Sequence, residues 1–220
     1  MIYFVNFAIQ STFIMTENDY LKDISEIKDI MNKSTRFMSL SGLSGILAGI
    51  YALVGAFIAN MLLAGYDGNY MANENMLPIG ILEIILILVG IVVALLSFIT
   101  GFILTKKRAK KNDEKIWTPL SKQLLLHFLI PMVAGGIFIL LLINKGYYGL
   151  VAPLTLIFYG LALVSASKYT LSLIKYLGLI EILLGLLAFY FFGNGLLFWA
   201  LGFGVLHIVY GALMHFKLDK

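Results

Sequence analysis

The chain has 220 residues, of which 60% are hydrophobic and only 13% charged, with a formal net charge of +4 and a mean hydropathy of +0.94. A soluble domain carries roughly 25% charged residues, so this composition excludes an ordinary water-soluble fold and points to a surface that faces lipid. Cysteine is absent, which excludes disulfides, thiol catalysis and cysteine metal sites.

Residues 1–14 are apolar but short, and Asn6, Gln10, Ser11 and Thr12 interrupt them. They lack a basic leader and fall below the ~18 residues needed to cross a bilayer. They read as an upstream mis-start or an unstructured lead, with Met15 as the natural start. Residues 16–36 come next as a helix on the membrane surface. Thr16 and Asp19 have the spacing of a capping box, and Leu21, Ile24, Ile27, Ile30 and Met31 form an apolar stripe at helical intervals. This segment is an interfacial lead into the first span and a candidate contact for a cytoplasmic partner.

Six apolar runs come after it, at roughly 38–62, 78–104, 123–143, 148–167, 172–192 and 196–216. Each is close to the ~20 residues a bilayer requires. In lipid the backbone must satisfy its own hydrogen bonds, so these runs are helices. Their Ile and Val do not indicate strands, because the runs are long and do not alternate. The fold class is therefore all-α: one polytopic domain over 37–216, preceded by the segment 1–36 and followed by a tail at 217–220.

Direction is set by the basic residues. Of the sixteen Lys and Arg, all but Lys145 fall on one side: before span one, in Lys106–Lys122, beside the start of span five at Lys168 and Lys175, and at the end of the chain. Such a split predicts that both termini are cytoplasmic, in the cell (inner) membrane. The loop at 66–77 agrees, with Asp67 and Glu74 and no base. Tyr66, Tyr70, Tyr147, Tyr148, Tyr190 and Trp199 then mark the outer interface, and Trp117, Tyr169 and Tyr176 the inner one, where aromatic belts lie. The basic loop Lys106–Lys111 is a topology determinant with affinity for anionic lipid.

Span one carries two rows of small residues, Ser41, Gly45 and Gly49, and Ser44, Ala48, Ala52 and Ala56. Small residues four apart let helix backbones approach closely, within the bundle or in a homo-oligomer. Pro131 in span three removes a backbone donor and predicts a kink, loosened further by Gly135 and Gly136.

Ionisable residues inside a span usually face the bundle interior and mark function. The candidates are Glu83, His127, Glu181 and His207, with His215 at the inner edge. Glu181 and His207 lie equally far, thirteen residues, from Asn194 at the turn between spans five and six. At equal rise per residue they share a depth. A Glu–His pair there is a proton or cation site, a pH switch, or a polar staple between helices. Gly80-Ile-Leu-Glu83-Ile84 also matches Gly178-Leu-Ile-Glu181-Ile182, the pattern of a 3+3 inverted repeat, an arrangement frequent in transporters.

Gly42-Leu-Ser44-Gly45 resembles the Gly-x-Ser-Gly element of the rhomboid intramembrane serine proteases, and His127 lies two spans later. In that family the serine is on the fourth core helix, not the first, so the tetrapeptide reads as packing and no enzyme is expected. Residues 34–56, with their short charged lead and Ser/Gly/Leu-rich span, resemble uncharacterised small six-span bacterial integral membrane proteins. Residues 178–213 distantly resemble six-span acid-stress membrane proteins. No metal, cofactor or nucleic-acid motif is present. One expected function is that of a small-solute, ion or proton-coupled transporter or channel. The alternative is a membrane-embedded regulatory, sensory or stress-response protein working through cytoplasmic partners.

Overall fold

The computed structural model describes residue 21 and residues 41–64, 79–113 and 115–218. Apart from residue 21, the surface helix expected at 16–36 lies outside the described residues, as do the lead at 1–14, the loop at 66–77 and the end of the tail. The chain divides into two units, Met1–Arg36 and Phe37–Lys220. The second unit is helical, with no strand among the described residues. Its helices are α1 (Gly42–Ala64), α2 (Ile79–Lys111), α3 (Pro119–Asn144), α4 (Val151–Ala166), α5 (Ser172–Tyr190), α6 (Gly195–Trp199) and α7 (His207–Leu218), with a π-helical segment, Ala200–Leu206, joining the last two. A 3₁₀ turn precedes α4 (Tyr148–Leu150) and another succeeds it (Ser167–Tyr169). Six stretches are long and apolar enough to cross a membrane: Gly42–Ala64, Gly80–Lys111, Pro119–Asn144, Tyr148–Tyr169, Ser172–Tyr190 and Gly195–Phe216.

Helix ends obey local chemistry. Thr118 caps α3: its side chain accepts from the Ser121 amide while the Ser121 hydroxyl accepts from the Thr118 amide, and Pro119 sits where its missing N–H costs nothing. At the other end Tyr147 N–H donates to Leu142 O and Gly146 N–H to Ile143 O. Gly146 holds φ +81°, the left-handed closure that glycine permits and that satisfies the last carbonyls. α3 remains helical through Pro131 and the Gly135-Gly136 pair.

Two elements differ from expectation. α2 runs on to Lys111, past the end of the apolar run near 104. Lys-Lys-Arg-Ala-Lys-Lys consists of strong helix formers, and bases in a last turn suit the helix dipole. The sixth span is not one regular α-helix, because Ala200–Leu206 is π-helical. Gly202 and Gly204 fall inside that segment.

Glycine sets each main packing contact. α4 and α5 cross where a β-carbon on Gly160 would stand 2.6 Å from Gly178 O, and one on Gly178 2.7 Å from Gly160 O. α1 meets the sixth span through Gly45, Gly49, Gly204 and Gly211, together with Gly42, whose neighbours are the Gly211 carbonyl and the His215 backbone. Gly45 and Gly49 come from the first row of small residues read in the sequence. Ser41 of that row is buried, while Ser44 and Ala48 of the second are half-buried and Ala52 and Ala56 buried. Gly55 admits Val93 of α2, and Gly135 of α3 admits Phe158 of α4. Backbones this close gain dispersion without needing a hydrophobic drive between helices.

The resulting order places the sixth span at the centre, with α1 on one side and the α4–α5 pair on the other. α2 packs mainly on α1, and α3 mainly on α4. Only 6% of an 18-residue apolar stretch of α2 or of α3 is buried, against 22–33% for the other spans.

Candidate functional site

α5 turns one face toward its neighbours. Gly178, Glu181, Gly185 and Ala188 are all buried on it, at intervals of three and four that keep them in line. Three of these four residues have no side chain or only a methyl. They let α4 and the sixth span close over the fourth, and Glu181 is 0% exposed.

His207 reaches Glu181 from the sixth span, its Nδ1 3.5 Å from Glu181 Oε1. The same nitrogen lies 3.0 Å from the Gly202 carbonyl oxygen. A carbonyl can only accept, so Nδ1 carries the hydrogen. In the neutral ring Nε2 is then an acceptor, and it takes the Tyr159 hydroxyl of α4 at 2.8 Å. The series Tyr159–His207–Glu181 thus crosses three helices.

The π-helical segment makes this possible. A π turn holds an extra residue and frees backbone groups from the regular ladder, and such turns recur at functional sites. Here the Gly202 carbonyl accepts from the side chain five residues ahead. Gly202 also gives the carboxyl its room: a β-carbon there would run into Glu181 Oε2 and stand 2.5 Å from Leu156 Cδ2. Aromatic rings close the cluster. Phe203 stacks on His207 with centroids 6.0 Å apart and lies 5.0 Å from Tyr159, and Trp199 and Phe128 pack outside them.

Both Glu181 oxygens are buried without a hydrogen-bond partner. The 3.5 Å approach of His207 Nδ1 is longer than a charge-assisted bond of ~2.7–2.9 Å. An isolated buried carboxylate is expensive. Three changes would remove that expense: a proton on the carboxyl, a proton on His207, or a cation beside them. With a second proton on Nε2, the His207 Nδ1 hydrogen could pass to Glu181 Oε1 once their gap closes by a few tenths of an ångström, leaving a neutral ring with its hydrogen on Nε2.

The other intramembrane candidates lie elsewhere. Glu83 is half-buried on α2, away from the pair and close enough to Tyr148 for the two to interact electrostatically. His127, on α3, accepts or donates at Nε2 with the Tyr169 hydroxyl at 3.0 Å, their rings stacked 4.9 Å apart. The four residues grouped by the sequence therefore divide into a pair and two separate residues, of which His127 is bonded to a tyrosine. Ser44 and His127 also have different partners: the Ser44 hydroxyl donates to Ser41 O at 2.6 Å. Among the described residues no three of His, Cys, Asp or Glu converge as metal ligands do.

The sequence did not single out Tyr159 or Gly202. Tyr159 left a signal, since it is a tyrosine in the middle of a span, away from the interfacial belt where tyrosines gather. Gly202 left none, one glycine among the 21 of the chain.

Comparison with protein-family models, with curated proteins and with solved structures gave no match.

Proposed function

We propose that this multi-pass protein moves a small solute, an ion or protons across the membrane, and that the Glu181 carboxyl is the group whose loading drives the cycle. One observation carries the reading: a carboxyl with no exposed surface and no hydrogen-bond partner, held beside a histidine in the middle of the bundle. A purely structural staple would be expected to satisfy its own oxygens, since buried polar groups are nearly always bonded. Intramembrane acids that are left open are characteristic of ion paths and proton relays. The π-helical segment beside it supports the same reading, because its widened turn is a local departure from regular helix at the site.

The orientation belongs to this proposal. With fifteen of sixteen basic residues on one side, both termini face the cytoplasm of a bacterial cell. So does the inverted 3+3 arrangement, which would place Glu83 and Glu181 on helices of opposite direction. Of those two acids, the buried one carries the site. α2 and α3, packed on one neighbour each, offer their outer faces to lipid or to a second copy of the chain.

The test is flux in proteoliposomes under an imposed pH step, wild type against Glu181→Gln. The substitution keeps the shape and removes the ionisable oxygen. The proposal expects flux in the wild type and its loss in the variant. Equal flux in both, or none in either with the protein folded, would overturn it.

A further inference from the structure

The end of α2 and the segment leading to α3 form a cleft lined by Lys106, Lys110, Lys115, Ile116 and Trp117. Lys106 and Lys110 are four residues apart and share a helix face. The chain leaves the helix through a tight turn in which Asn112 N–H donates to Arg108 O and Asp113 N–H to Lys110 O. Asp113 adopts φ +53°, a left-handed conformation that Asp tolerates, and the chain doubles back. Lys115 and Trp117 are thereby returned to the two helix lysines. The Thr118 cap fixes the far end of this segment.

Three lysine side chains thus line one cleft together with an indole that is 61% exposed, and Asp113 is not among the lining residues. Topology alone requires basic residues near the membrane, but it does not require three of them to line one cleft with a tryptophan. An indole belongs at headgroup level, the level of a lipid phosphate. Lysines bind phosphate as point charges, and each basic residue near an anionic surface adds affinity.

From this geometry we infer that the cleft binds the phosphate of an anionic phospholipid headgroup, with Lys106, Lys110 and Lys115 on the phosphate and Trp117 against the glycerol region. The site is independent of Glu181.

The test uses the full chain with Trp199→Phe, which leaves Trp117 as its single tryptophan, in nanodiscs. Quenching by brominated phosphatidylglycerol is compared with quenching by brominated phosphatidylcholine at equal mole fraction. Both leaflets carry the lipid, so the result does not depend on orientation. The expected result is stronger quenching by phosphatidylglycerol, a preference that falls about fivefold for each Lys→Gln change. It should persist when all three lysines become arginine, which keeps the charge and shows that the loop still folds. Equal quenching by the two lipids would overturn the inference, as would a preference that survives the triple Lys→Gln variant. Displacement of the lipid by millimolar inorganic phosphate would also overturn it, by making a soluble anion the ligand.

Discussion

Gly202→Ala tests whether the π-helical segment was shaped around the Glu181 carboxyl. The new methyl would run into Glu181 Oε2 and arrive 2.5 Å from Leu156 Cδ2, about 1 Å inside ordinary van der Waals contact. Glu181 and Leu156 are both fully buried, so neither has open space to enter. Overpacking of this kind costs ~1–3 kcal/mol, and the gain of alanine over glycine in a helix offsets ~0.5–1 kcal/mol of it. The net expectation is a loss of about 1–2 kcal/mol. The same change in a Glu181→Ala background should be close to neutral, because the carboxyl is gone and Leu156 can shift toward its place. The two substitutions should therefore couple by ~1 kcal/mol or more, within the range seen for residues in contact. Gly136→Ala is the control, since nothing lies within 4 Å of its β-carbon. The assay is reversible unfolding of the purified protein in mixed micelles, monitored by far-UV circular dichroism. Additive losses, or a Gly202→Ala variant as benign as Gly136→Ala, would refute the reasoning.

The same contacts give further expectations. Tyr159→Phe removes the hydroxyl that His207 Nε2 accepts, and should lower stability by ~0.5–1.5 kcal/mol while releasing the imidazole tautomer, visible as a change in the ¹⁵N shifts of His207. Gly160→Val should be more damaging than Gly160→Ala, because the first obstacle is the Gly178 carbonyl, a backbone atom that cannot rotate aside. A loss of at least ~1–3 kcal/mol is expected in the same unfolding assay. The chain has no cysteine, so single cysteines report orientation cleanly. Cysteine at position 145 should be labelled by an impermeant maleimide added outside intact cells, and cysteine at position 107 only after lysis. The reverse pattern would invert the proposed topology.

The six spans could be read from the sequence because twenty apolar residues in lipid leave the backbone no other choice than helix. Boundaries moved where polar residues continued a helix outside the apolar core, as at Lys106–Lys111 of α2. The approach of Glu181 to His207 was suggested by their equal count of residues from Asn194, although the π-helical Ala200–Leu206 departs from regular rise on one of the two arms. Depth carries no information about azimuth, which is why Glu83 and His127 looked equally eligible although neither joins the pair, His127 bonding Tyr169 instead. The first row of small residues in α1 was readable for the same reason as the spans. Its partners Gly204 and Gly211 were not, since close packing is a property of two helices and the sequence displays them one at a time. The π-helical segment had no visible signature. It accompanies a hydrogen bond between the His207 side chain and the Gly202 carbonyl five residues before it, a contact that hydrophobic periodicity does not display.

The central claim is that Glu181 gains and loses a proton inside the membrane-embedded protein. Infrared difference spectroscopy of reconstituted protein through a pH step observes that event at the carboxyl itself. A protonated carboxyl C=O band should change with pH in the wild type, shift in position in Tyr159→Phe, and be absent from Glu181→Gln. A wild-type spectrum with no such band, or one that Glu181→Gln leaves unchanged, would contradict the account.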